Sequence, residues 1–286
     1  LHIYCSKWNE LCKQNRVNTI FQTYEWNKTW WNVYRDNNEL FVILAIEDNN
    51  LIGIAPLVIV KEQKWIGEKR VLKFIGSGAS DYSDFIFQNN RSDVLKKIIS
   101  FILDNKEKWD VIGLFNIPEY SSSCEILINM CVQKGFHHLE RSTSCPTLII
   151  SDNLKYAIKA SNKKSLRRHY NFFKRQGEFD MFHLFEKSQI MNYLQIFFDQ
   201  HISRWEHTNT PSLFLDKNSR LFYEELTKEL TGNNWLIFTV IKSKNVPISF
   251  HFGFDYNNKL IWYKPSFEIS LSRTSVLSLT LLHWPL

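Results

Sequence analysis

Three β-branched and aromatic runs near the C-terminus carry the clearest pattern in the chain. They are Trp235–Ile241, Val246–Phe254 and Leu260–Pro265, separated by polar clusters at Lys242–Asn245 and Asp255–Asn258. Runs of this kind broken by Asn, Asp and Lys predict three antiparallel strands joined by tight turns. An apolar run from Val276 predicts a helix after the third. Where a strand ends and a helix starts, free backbone N–H groups can hold an anion, so a phosphorylated ligand is expected there.

The rest of the chain alternates the two periods. Trp26, Trp30 and Tyr34 recur every four residues and predict a helix over Thr23–Tyr34. Leu40–Ile46 and Leu51–Val60 predict a hairpin across Glu47–Asn50, and Val71–Ile75 a further strand. Gly76–Asp84 holds two glycines and several hydroxyls, with Asp81 and Asp84 at its exit; it reads as a sharp turn or as a substrate-lining loop. Ser92–Trp109 presents Val94, Leu95, Ile98, Ile99 and Ile102 on one helical face. A strand at Val111–Ile117, a helix at Ser121–Lys134 stopped by Gly135, and a strand at Thr147–Ile150 follow. Leu154–Gln176 reads as one amphipathic helix, Glu178–Phe185 as a strand, and Ser188–His207 and Asn218–Leu230 as helices. The fold class is mixed α/β, mainly antiparallel sheets with flanking helices. The expected divisions are residues 1–151, a basic linking helix at 152–177, and residues 178–286.

Composition adds little until charge is placed. With 286 residues, 44% hydrophobic, the chain is long enough for two packed cores, and its 10 Trp and 22 Phe are expected mainly to fill them. The formal net charge is +6, yet residues 154–176 alone hold Lys155, Lys159, Lys163, Lys164, Arg167, Arg168, Lys174 and Arg175 with no acidic residue. That stretch is either a solvated helix or a surface for nucleic acid or acidic lipid. Base-reading motifs are absent, so nucleic acid is not an expected partner. Five scattered cysteines without metal-type spacing predict buried free thiols in a reducing compartment, and no bound metal. No signal peptide is visible, and the apolar run Leu51–Val60 is too short to span a bilayer, so a cytoplasmic protein is expected. The sequence opens on Leu1 rather than Met and closes on Leu286, as a piece of a longer chain would. P-loop, Rossmann, H-E-x-x-H and G-x-S-x-G patterns are all missing, which weighs against those chemistries.

The order strand, helix, helix, three antiparallel strands, helix resembles the Gcn5-related N-acetyltransferase (GNAT) superfamily. Several stretches resemble its CelD/BcsL-like branch, related to the Fem-type aminoacyl transferases: Phe21–Trp26, Gly53–Leu57, Phe74–Gly78 with Asp81–Asp84, Lys164–Arg168, Arg204-Trp205 and Tyr263–Phe267. The resemblance implies tandem GNAT-like domains, the second ending before its last strand, with acetyl-CoA or another acyl-CoA bound by the second and an amine acceptor in the cleft between them. The acceptor would be a small molecule or glycan-linked amine, in polysaccharide or cell-envelope metabolism. It further implies direct attack of the amine on the thioester, with the protein aligning the reactants, taking a proton and stabilising the oxyanion.

For the proton, His251 is the first candidate, on the strand face of Ser249 and Gly253 and opposite Phe250, Phe252 and Phe254. Asp81 and Asp84 are the alternatives. By resemblance, Phe250, Phe252, Arg273, Thr274, Ser275, Val276 and Leu277 would contact the donor. Trp26, Tyr82, Arg204, Trp205, Lys264 and Glu268 would contact the acceptor. The chain departs from the family at Ser275-Val276-Leu277, where Ser-Pro-Gly is usual. Two other readings stay open: a Fem-like aminoacyl transferase, with tRNA as partner, and a non-catalytic protein that keeps the fold.

Overall fold

Three pairs of adjacent residues in the left-handed region set the strand registers. Asp48-Asn49, Lys244-Asn245 and Asn257-Asn258 all have φ between 48° and 63°, as two-residue hairpin turns require. Asn and Asp tolerate that region because their short side chains hydrogen-bond locally. The structure, a computed structural model, describes residues 4–65, 67–149, 154–155, 158–159, 162–206 and 208–274. Two units divide the chain, Leu1–Glu140 and Arg141–Leu286.

The first unit opens with helices α1 (Cys5–Gln14) and α2 (Tyr24–Tyr34). Thr23 caps α2 by accepting from the Trp26 N–H, which is why the aromatic stripe starts where it does. Strands β1 (Asn38–Leu40), β2 (Ile43–Glu47), β3 (Asn50–Ala55), β4 (Leu57–Lys64), β5 (Gly67–Phe74) and β6 (Ile86–Phe87) follow. Then come α3 (Ser92–Asp104), β7 (Val111–Ile112) and α4 (Ser123–Gln133). Two sheets result, in the orders β1-β4-β5-β7 and β2-β3-β6. The apolar face of α3 packs with Leu57, Leu72, Phe74 and Phe85 in the principal core.

In the second unit, α5 (Lys164–Arg175), β8 (Phe179–Leu184), α6 (Lys187–Trp205), α7 (Lys217–Leu230), β9 (Leu236–Ser243), β10 (Val246–Tyr256) and β11 (Lys259–Phe267) form one antiparallel sheet with helices. The strand order is β11-β10-β9-β8. Phe197 of α6 lies within ring contact of Phe214, Phe238, Phe250 and Phe252, and Tyr223 of α7 meets Phe252. Each fully buried aromatic contributes about 1.5–3 kcal/mol. On the opposite face Phe173 of α5 packs with Ile241 and Ile248.

Several sequence expectations are corrected. Leu51–Val60 is two strands in different sheets, because Pro56 lacks the N–H a continuous strand would need. Val111–Ile117 shrinks to the two residues of β7, which pair in parallel with β5. Residues 147–149 form no strand. The basic stretch is not one helix: Asn162 turns and Lys163 is extended before α5 begins. Only Cys12 and Cys131 of the cysteines are buried, and Cys145 is exposed. The helix expected from Val276 lies outside the described residues.

Candidate functional site

In the first unit the Gly76–Asp84 loop is knitted into polar groups from distant parts of the chain. Gly76 (φ +84°) leaves room for the Trp26 indole N–H to donate to Ser80 Oγ at 2.9 Å; a Cβ there would collide with both groups. Asn116, itself left-handed at φ 64°, donates to the Ser80 carbonyl at 2.7 Å and accepts from the Ser83 N–H. Asp84 is 1% exposed. Its carboxylate accepts from the Ser121 hydroxyl and from the Phe85 N–H at 2.8 Å, while Gln22 donates to its carbonyl at 3.1 Å. Burial lifts this carboxyl to about 6, against the lowering effect of its bonds to Ser121, Ser123 and Phe85 N–H. Asp81 is exposed and Tyr82 half-buried, its ring 6.3 Å from Phe21. Trp26, expected to touch an acceptor, is instead fully buried with its N–H committed to Ser80.

In the second unit the register between β10 and β11 slips between Phe252 and Phe254. Phe252 faces Lys264 and Phe254 faces Ile261, so β11 carries an extra residue there, a β-bulge. His251 Nε2 accepts the Tyr263 N–H at 3.2 Å, and the ring stacks on Trp262 at 4.0 Å. Gly253 makes this fit: a Cβ there would run into the His251 ring and lie 2.9 Å from the Ile261 carbonyl. His251 has no exposure, and desolvation, with His183 adding to it, pushes its pKa well below the ordinary value. With the Nε2 lone pair engaged by a backbone N–H, the ring holds the bulge and does not face solvent. Phe250 and Phe252, expected at a cofactor, have no exposed surface and sit in the aromatic core on the other face.

Four of the residues expected at an acceptor, Arg204, Trp205, Lys264 and Glu268, lie at the end of α6 and on or just after β11. Arg204 donates to the Pro265 carbonyl at 2.9 Å, with its guanidinium 4.5 Å from the Phe267 ring and 5.3 Å from that of Trp205. Lys264 Nζ stands 4.2 Å over Tyr263, whose hydroxyl bonds the Tyr223 hydroxyl at 2.9 Å. Glu268 is exposed, its N–H paired to Ile248 O. His201 also joins this group, unforeseen from sequence: it bonds Ser212 Oγ through Nδ1 at 2.8 Å and stacks on Trp205. Burial, then Arg204 and Lys264, lower its pKa to about 4, so it is neutral at physiological pH. Its place four and three residues before Trp205 and Arg204 on α6 was the available signal. Arg273 and Thr274 end a 3-10 turn at Ile269–Thr274, and Ser275, Val276 and Leu277 lie outside the described residues. Among the described residues no group of His, Cys, Asp or Glu could hold a metal, and no helix is long and apolar enough to cross a membrane.

A neutral imidazole keeps one ring N–H and one lone pair, and the His251 Nε2 lone pair is committed to the Tyr263 N–H. A half-buried guanidinium with donors beyond the one on Pro265 O suits an anion. No curated protein matches the chain. Its fold is similar to the crystal structure of FemX, with TM-score 0.62 at 10% identity over 96% of this chain and 81% of that one. A conserved protein of unknown function from Bacteroides thetaiotaomicron superimposes at TM-score 0.49, with 11% identity over 98% of this chain and 84% of that one. Residues 160–284 match the family model of an acetyltransferase (GNAT) domain, within a fold that the chain shares with FemX.

Proposed function

We propose that the chain is an N-acyltransferase that moves an acetyl or other acyl group from acyl-CoA to an amine on a small molecule or glycan. The observation that carries this reading is the acetyltransferase match over residues 160–284, on a strand, two helices and a three-strand meander in that order. Acyl-CoA supplies an activated carbonyl: the acceptor nitrogen bonds to that carbon and loses a proton, and the CoA thiol leaves. The donor is anionic, and Arg204 of α6 and Lys264 of β11, which the resemblance gave to the acceptor, fit such a ligand by their charge. Arg273 to Leu277 are the further donor contacts in this reading.

Among the three candidate bases the physical chemistry favours Asp84. Burial acts on both kinds of group by disfavouring charge, so it lowers the proton affinity of His251 and raises that of Asp84 to about 6, still ionised at neutral pH but closer to it. A base that must hold a proton near neutral pH needs the second behaviour. Asp81, three residues before it, is exposed, and Tyr82 is half-buried.

Release of CoA from acetyl-CoA, followed with a thiol reagent across a panel of amines, tests the reading. It should saturate and depend on the amine, and Asp84→Asn should lower kcat by about 10²-fold or more. If no amine elicits release, the acyl-CoA reading is lost. The fold likeness to FemX supports a second reading, aminoacyl transfer. Transfer from aminoacyl-tRNA with none from acyl-CoA would establish it instead, and inertness with both would leave a non-catalytic protein.

A further inference from the structure

The most concentrated charge in the molecule takes no part in the reaction above. From 154 to 176 there are eight cations and no acidic residue. The helix α5 is pinned by one side only: Phe173 is buried and stacks on Phe179 at 5.3 Å, and Tyr170 meets the same ring edge-on at 5.5 Å. Its other side, formed by Lys164, Arg167, Arg168, Asn171, Phe172 and Arg175, is an open, exposed face. Among the described residues none of those four cations takes part in an ion pair. At about 1.5 Å rise per residue the stripe from Lys164 to Arg175 runs roughly 16 Å, longer than a single phosphate needs.

Apolar side chains are interleaved with that charge. Leu154, Ile158 and Phe172 are 52%, 47% and 43% exposed. Leu154 and Ile158 lie four residues apart, as Lys155 and Lys159 do, within helical backbone. Exposed cations and large exposed apolar side chains in one short stretch of chain are the composition of a segment lying in a lipid headgroup layer.

We propose that α5, with Leu154, Lys155, Ile158 and Lys159 before it, docks on the anionic surface of a phospholipid bilayer, the Lys and Arg side chains on phosphate headgroups and Leu154, Ile158 and Phe172 at the acyl boundary. An RNA strand is the competing occupant for such charge. It would use the cations, but aliphatic Leu154 and Ile158 offer it nothing, and α5 exposes one large aromatic, Phe172, for base stacking. Attachment is to the surface, since among the described residues no helix could cross. It does not depend on the reaction proposed above.

Co-sedimentation of the whole chain with phosphatidylcholine vesicles, with and without phosphatidylglycerol, is the test. Binding should require phosphatidylglycerol and weaken as salt rises. Replacing both Arg167 and Arg168 by Glu should cut partitioning more than tenfold, at about fivefold per surface charge lost. The milder Leu154→Ser with Phe172→Ser should weaken binding and leave the lipid preference intact. All four residues are exposed, and circular dichroism confirms that the variants fold. Absence of vesicle binding, equal binding to neutral vesicles, or an undiminished Arg-to-Glu variant overturns the proposal. So does binding to an RNA oligonucleotide without any to phosphatidylglycerol vesicles.

Discussion

The two units solve the burial of polar groups in opposite ways. The first buries amides, hydroxyls and one carboxylate and ties them to the end of one loop: Asn15 to the Phe85 carbonyl, Gln22 to the Asp84 carbonyl, Ser121 to the Asp84 side chain. The second buries aromatic rings against its sheet and encloses two histidines, His201 and His251, among them. A polar network fixes a loop that local backbone preference alone would leave undetermined. An aromatic core fixes a sheet face and strips charge from whatever it encloses. The same desolvation therefore raises the pKa of a carboxyl in one unit and lowers that of an imidazole in the other.

The largest effect is expected at the centre of the aromatic core. Phe197→Ala should cost about 3–5 kcal/mol, and hydrogen exchange should show lost protection in peptides of the second unit while those of the first keep theirs. Equal loss in both would mean that the units do not hold their stability separately.

Next in size is the opposed pH response. Asp84 has a folded-state pKa raised to about 6, so the fold binds its proton more tightly than the unfolded chain does. Its contribution is full below pH 4 and is lost as pH rises to about 6, on the order of 3 kcal/mol. His201 is depressed to about 4, so its contribution is present above pH 6.5 and is lost as pH falls through 4, by a similar amount. Urea titrations from pH 4 to 7 should show Asp84→Asn removing a downward slope and His201→Gln removing an upward one. A variant that leaves its slope unchanged would remove that group from the account.

Glycines sharpen the contrast at smaller scale. Gly253→Ala should cost about 1–3 kcal/mol, because the added carbon meets the His251 ring and the Ile261 backbone. Gly78→Ala has open space around it and only a left-handed backbone (φ +88°) to strain, for about 1–2 kcal/mol. Near-UV circular dichroism of the stacked Trp262 should change in the first and stay constant in the second.

Local chemistry made much of this visible in advance. Polar turn pairs between β-branched runs gave all three strands of the β9–β11 meander, and the spacing of Trp26 and Trp30 gave α2. What could not be read was which side chains at long range cover a given face. Alternation set His251 with Ser249 and Gly253, but nothing nearby in sequence said that Trp262 would cover it or that the Tyr263 N–H would claim its nitrogen. Asp84 was visible as a loop carboxylate. Its burial was not, because Gln22 and Ser121, which close over it, stand 62 and 37 residues away. Pro56 was in plain view inside Leu51–Val60, and its missing N–H already argued for two strands there.

Calorimetric titration of the chain with acetyl-CoA and with CoA bears most directly on the claim that the second unit holds an acyl-CoA donor. The account predicts a single saturable site for both ligands, weakened at least tenfold by Arg204→Ala with the fold retained. A chain that releases no heat and shows no thermal stabilisation at millimolar acetyl-CoA contradicts it.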